Sequence, residues 1–409
     1  MDSSLFVFFS DFAGEEAGGF LRQLQNRYGV QGVTVAAAYH QARDVTPHGA
    51  ARLVVRRDGA HFLPDPDLFS GLRLRPSCQD DAQAEPLRGL CEAAAARGMA
   101  VHGWAVFCHN TALGMSHPDC ATENCFGDRA APADLCPANP EVRAYAIALA
   151  RNVARYGVDT VVAESLHYGT FGHGYHHERS FVTLGALDRY LLGLCFCPYC
   201  LQHAESSGVA AQAARSECAT ALAQVLGGAR PGPEEVSAES IAHYAGRATA
   251  RYAESRLATV TSLVADVAAA VAAEGSALVF LDLTGAVKGY ADGCPSGPPA
   301  ADEAWQLGID PAQVSRVVSG YAITGYVRDA TRLTHEADAY RKACGPVPLR
   351  VVLRPGPPDT LSEHHLAQKV SAITGLADAV DFYHYGLNTL PDLDRIPSAL
   401  RLDDRGPSS

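Results

Sequence analysis

The chain has 409 residues, 33 basic and 45 acidic side chains, and a formal net charge of −12. Apolar residues make up 47% and charged residues 19%, which excludes a disordered chain. With no Lys/Arg block and an acidic balance, they also exclude a nucleic-acid footprint. The length admits two or three domains, or a single α/β barrel that uses all of it.

The first six residues lack the basic stretch and apolar core of a secretory signal. No apolar run approaches the roughly 18 residues that cross a bilayer. The Ala-rich stretch 257–273 is interrupted by Thr259, Thr261, Ser262 and Asp266, and reads as a buried helix. We therefore expect a cytoplasmic protein with no membrane partner. In that compartment clustered cysteines point to metal or catalysis rather than to disulfides.

Eight β-rich runs follow in chain order, at 5–10, 32–38, 99–107, 160–163, 277–283, 316–323, 349–353 and 380–383. Most are followed by a helical pattern. Val161-Val162 and Val351-Val352-Leu353 are near-continuously apolar, the pattern of parallel strands buried on both faces. Between the third and fourth runs, Val142, Ala146, Leu149 and Val153 form one helical stripe. Pro140 opens that helix, Asn139 is its N-cap, and Gly157 stands where it stops. This order predicts a (β/α)₈ TIM barrel, with an open doubly wound sheet as the alternative. The first turn, Ser10-Asp11-Phe12-Ala13-Gly14, lacks the GxGxxG of a dinucleotide site, and no organic cofactor is expected. Long loops span 41–80, 109–139 and 165–186, and a helical insertion follows strand four at about 187–273. Residues 1–401 read as one barrel domain and 402–409 as a tail.

Cys195-Phe196-Cys197-Pro198-Tyr199-Cys200 is the most specific motif among the 12 cysteines. A C-x-C-x-x-C knuckle puts three thiolates on one tight turn, as tetrahedral Zn²⁺ requires. Cys108, Cys120, Cys125 and Cys136 are the candidates for the fourth corner. A closed four-thiolate site would be structural; the alternative is a set of buried thiols that are merely close together.

Leu135-Cys136-Pro137-Ala138-Asn139-Pro140-Glu141-Val142-Arg143 resembles the Cys-Pro-Asn-Ser-Pro-x-x-Arg segment of family 42 β-galactosidases. In that family the segment precedes a helix, a strand ending in a catalytic Glu, and a Cys-x-Cys-x-x-Cys knuckle. The same order occurs here over residues 99–205. The segment is also similar to uncharacterised glycoside-hydrolase-like barrel proteins of bacteria. The resemblance implies a structural zinc held by Cys136, Cys195, Cys197 and Cys200, with Glu164 as general acid/base on a sugar-containing ligand. Two departures stand out. Ala163 takes the place of the family's Asn, and strand seven ends Leu353-Arg354-Pro355-Gly356 without the second glutamate.

Barrel enzymes carry their functional groups at the C-terminal ends of the strands. Those ends supply Asp11, Tyr39, His40, His109, Asn110, Glu164, His167, Asp282, Tyr321, Arg354, Asp381 and His384. Glu164, after Val161-Val162-Ala163, is the first choice for a desolvated acid; an Arg-paired structural carboxylate is the alternative. Asp282 or Asp11 would be the second carboxylate of a glycosidic pair. The loop from His167 to Glu178 adds His173, His176 and His177, suited to sugar hydroxyls or to a second metal. His40, His109, Asn110, Tyr321, Arg354 and His384 complete the expected substrate-binding set. The expected function is glycoside cleavage. A histidine- or metal-dependent sugar lyase or isomerase, and a carbohydrate-binding barrel without catalysis, are the other readings. A small glycoside is the expected partner, and self-association stays open.

Overall fold

The computed structural model describes residues 1–13, 15–172 and 179–403. Eight parallel strands close into a barrel: β1 Asp2–Val7, β2 Gly32–Tyr39, β3 Ala100–Val106, β4 Thr160–Glu164, β5 Ala277–Asp282, β6 Gly320–Thr324, β7 Leu349–Leu353 and β8 Ala379–Phe382. Each pairs with its sequence neighbours, and β1 pairs with both β2 and β8. The open doubly wound alternative is thereby excluded. β6 begins later than its apolar run, because Val317 N–H still bonds the Val314 carbonyl of the preceding helix Pro311–Val314.

Alternation along the strands separates two cores. Phe6, Phe8, Ala36, Trp104, Val162 and Leu281 fill the lumen, while the opposite parity packs against the surrounding helices. Each buried Val or Leu stabilises the fold by about 1.5–3 kcal/mol. The helix Pro140–Ala154 starts where expected, with Asn139 Oδ1 accepting from Glu141 N–H at 2.9 Å. Gly103 lets this helix lie close to β3: a Cβ there would come within 2.6 Å of Val153 Cγ1.

Polar groups seal the lower lumen. Arg350 holds Asp381 through two bonds of 2.6 and 2.8 Å, and Ser4 Oγ donates to Asp381 Oδ1 at 2.7 Å. Burial pushes the Asp381 carboxyl up, yet Arg350 and Ser4 hold it below the usual range. Asp381 therefore belongs to the floor, away from the mouth.

The insertion between β4 and β5 contains the helices Ala186–Leu192, Pro198–Ser206, Ala211–Leu226, Ala238–Tyr244 and Arg247–Ala273. The last of these is long and apolar enough to cross a membrane by length and composition, contrary to the expectation drawn from its polar interruptions. In the fold it packs on β5 and on helix Pro140–Ala154, and buries Tyr252, Arg256, Val260 and Val267. The loop after β2 also holds an antiparallel hairpin, Ala42–Val45 with Leu53–Arg56, which the sequence pattern did not reveal.

Candidate active site and thiol cluster

Glu164 ends β4 in register with Val106 of β3 and Leu281 of β5, both members of the lumen cluster. Its side chain therefore joins the inward row at the barrel mouth. Trp104 lies on the same row of β3 and donates its indole Nε1–H to Glu164 Oε2 at 2.6 Å. Burial pushes the Glu164 carboxyl up to about 7, with the Trp104 bond and nearby His109 pulling the other way. Near neutrality such a group is half protonated. Among the described residues, no other carboxylate acts on it.

Aromatic rings wall this carboxyl. Tyr39 and Tyr383 lie 4.6 and 6.0 Å from Trp104, and their hydroxyls are 3.4 Å apart. Burial, followed by neighbouring charges that include Glu164, raises the Tyr39, Tyr326 and Tyr383 phenols well above their ordinary range. All three stay neutral hydroxyl groups. Arg354 sits over the Tyr326 ring at 4.2 Å, fixed by two 2.7 Å bonds to buried Asp359.

After Glu164 the chain turns through Ser165, whose φ of 54° is left-handed, at a cost of order 1 kcal/mol. Its carbonyl accepts from Cys108 N–H at 3.0 Å. The turn brings buried His167 to a cavity of about 380 Å³. His109, Asp134, Ser165 and His167 give it polar lining, and Leu283 and Val287 apolar lining. His109 Nδ1 lies 3.5 Å from Asp134 Oδ1. The His109 ring is 5.0 Å from His40, which in turn stacks on Tyr39 at 4.3 Å.

Glu164, His40, His109, His167 and Arg354 are thus assembled around the mouth, and other expected residues are not. Asp282 is fully buried on the outward face of β5. Thr284 N–H and Oγ1 donate to its Oδ1 at 2.8 and 2.6 Å, and the Tyr321 hydroxyl donates to Oδ2 at 2.7 Å. Both Asp282 and Tyr321 are therefore outside the site, because the pleat turns them toward the helices. Asn110 is also corrected: its Oδ1 caps helix Thr111–Ser116 by accepting from Leu113 N–H at 2.9 Å. Asp11 accepts from Phe8 N–H at 2.8 Å, and burial raises its carboxyl to about 7. It does not figure among the groups acting on Glu164. His384 is fully buried, stacks on Phe8 at 4.0 Å and accepts from Gly386 N–H at Nδ1. Asp11 and His384 both contact Phe8 of the lumen cluster. His173, His176 and His177 lie outside the described residues.

The sequence reading missed Trp104 and Asp134. Trp104 carried a signal, since it shares the parity of the lumen row; Asp134 lies in a loop that carried none.

Cys136, Cys195, Cys197 and Cys200 converge in a second cluster, all buried. Cys136 Sγ lies 3.7, 3.5 and 3.4 Å from the sulfurs of Cys195, Cys197 and Cys200. Thiolates around tetrahedral zinc stand about 3.8 Å apart, so the donor set and its spacing fit a metal ion. Two of the other candidates for the fourth corner are engaged elsewhere: the Cys125 thiol hydrogen-bonds that of Cys218, and Cys120 Sγ accepts from Arg73 at 3.6 Å.

No family model matches the chain, and no curated protein matches it. Solved structures do. A β-galactosidase from the psychrophilic Marinomonas ef1 aligns over 99% of this chain with a TM-score of 0.56 and 12% identity. A β-galactosidase from Bacillus circulans sp. alkalophilus gives 0.56 and 12%, and an α-L-fucosidase from Paenibacillus thiaminolyticus 0.55 and 13%, each again over 99% of this chain. It shares the barrel fold of these enzymes. The chain spans 59%, 55% and 49% of their respective lengths.

Proposed function

We propose that this chain is a carbohydrate-active, glycoside-hydrolase-like barrel with Glu164 as its general acid. The observation that carries the reading is the buried Glu164 carboxyl at the mouth, pushed up to about 7 and oriented by Trp104. A protonated carboxyl so placed gives its proton to the glycosidic oxygen as the C–O bond breaks and the electron pair stays on that oxygen. Over one turnover, water supplies the hydroxyl at the anomeric carbon and the proton that restores Glu164. The ligand is a small glycoside: the tyrosine rings at the mouth suit its C–H surface, and the phenols and imidazoles suit its hydroxyls. The four thiolates would hold a structural zinc, closed to substrate and confined to stapling the fold. Twelve free cysteines suit a reducing cytoplasm.

Nitrophenyl β-galactoside and α-L-fucoside are the first substrates to test, given the names of the similar structures. Glu164→Gln is expected to lower turnover by roughly 10²–10⁴-fold at an unchanged melting temperature. Since the acid must be protonated, the wild-type rate should fall as pH rises through about 7. An unaffected rate in E164Q overturns the proposal. That no carboxylate among the described residues acts on Glu164 favours one other reading, a carbohydrate-binding barrel without turnover. Sugar binding with no nitrophenol release by the wild type would select it.

A further inference from the structure

His167 takes no part in the proton transfer assigned to Glu164, yet it lines the adjoining cavity while only 5% exposed. Its Nδ1 lies 2.7 Å from the Tyr168 carbonyl oxygen. A carbonyl can only accept, so Nδ1 carries the ring proton. Burial lowers the pKa of the ring, which leaves it neutral near pH 7 with a bare lone pair on Nε2. That Nε2 is buried without a hydrogen-bond partner among the described residues. Buried acceptors are nearly always satisfied, and one left open destabilises the fold until a donor arrives. The His109–Asp134 pair lines the same cavity, and Leu283, Val287 and Tyr290 supply apolar surface there.

We propose that this cavity is a sugar subsite in which His167 Nε2 accepts a hydrogen bond from one ligand hydroxyl. His167 is then a specificity-determining residue for a ring with one apolar face and a hydroxyl-bearing edge. The inference rests on the carbohydrate reading above but does not require turnover. A sugar lacking that hydroxyl would leave Nε2 unpaired and be rejected.

The test is calorimetric titration of methyl glycosides of galactose, glucose, fucose and N-acetylglucosamine, and of deoxy analogues of the best binder, into wild type, H167N, H167Q and E164Q. Asn keeps an amide N–H for the Tyr168 carbonyl and removes the acceptor at Nε2; Gln restores an acceptor near Nε2. H167N should bind roughly tenfold more weakly, and H167Q should recover most of the loss. One deoxy analogue should lose the same factor against wild type and nothing further against H167N. In nitrogen-15 histidine-labelled wild type, the His167 Nε2 resonance should be of the unprotonated kind and move on sugar binding, a readout independent of any variant. Failure of all four glycosides to bind wild type overturns the inference, as does equal binding by H167N or a protonated Nε2. Binding lost in H167N, with no cleavage by wild type, sustains the subsite and removes the hydrolase reading. Glu164-dependent cleavage with H167N binding unchanged does the reverse.

Discussion

At the end of β4 Glu164 follows Ala163, and at the end of β5 Asp282 follows Leu281. Glu164 is in register with Leu281, so Asp282 stands one residue further along and on the opposite face of the pleat. Strand-end position was legible for both residues, because a short apolar run closed by a carboxylate is a local pattern. Inward or outward parity was not, since it depends on the pairing of strands more than a hundred residues apart. Tyr321 fell to the same ambiguity: it is aligned with Leu349, packs in the outer core and donates to Asp282. Asp282 is accordingly a structural acceptor. Asp282→Asn should lower unfolding stability in urea by about 1–3 kcal/mol, the usual cost of disturbing a buried hydrogen-bonded group, with turnover unchanged. A large loss of turnover at unchanged stability would return Asp282 to the reaction.

Between elements, the thiol cluster ties the loop after β3 to the insertion after β4. Cys136 stands just before helix Pro140–Ala154, while Cys195 and Cys197 lead into helix Pro198–Ser206, which carries Cys200. The knuckle was legible because its spacing is local. Its fourth member, 59 to 64 residues earlier, was singled out only by the resemblance. Short elements were harder: the four-residue strands of the hairpin after β2 are too brief for periodicity to separate them from loop. If the cluster holds zinc, the purified chain should contain one equivalent by elemental analysis. A strong chelator or Cys197→Ser should then lower the melting temperature by on the order of 5–10 °C. Metal-free protein with an unchanged melting temperature under chelator would contradict the staple.

On the scale of the molecule, the barrel was readable because eight apolar runs separated by helical patterns leave few topologies. Likeness to glycosidase structures at 12–13% identity follows from the same fact: packing rules fix the architecture, and sites are grafted onto it. The state of Glu164 is a property of this whole assembly. Closure of eight strands fills the lumen beneath it, the aromatic wall removes water from its sides, and the polar floor of Arg350 and Asp381 is neutralised within itself. Burial therefore dominates over the opposing effects of Trp104 and His109. The most direct measurement is a titration of the Glu164 carboxyl in the folded chain, by infrared difference spectroscopy or carbon-13 NMR with E164Q as the blank. A midpoint near 7 is predicted, and one near the ordinary 4.5 of a glutamate would contradict the account.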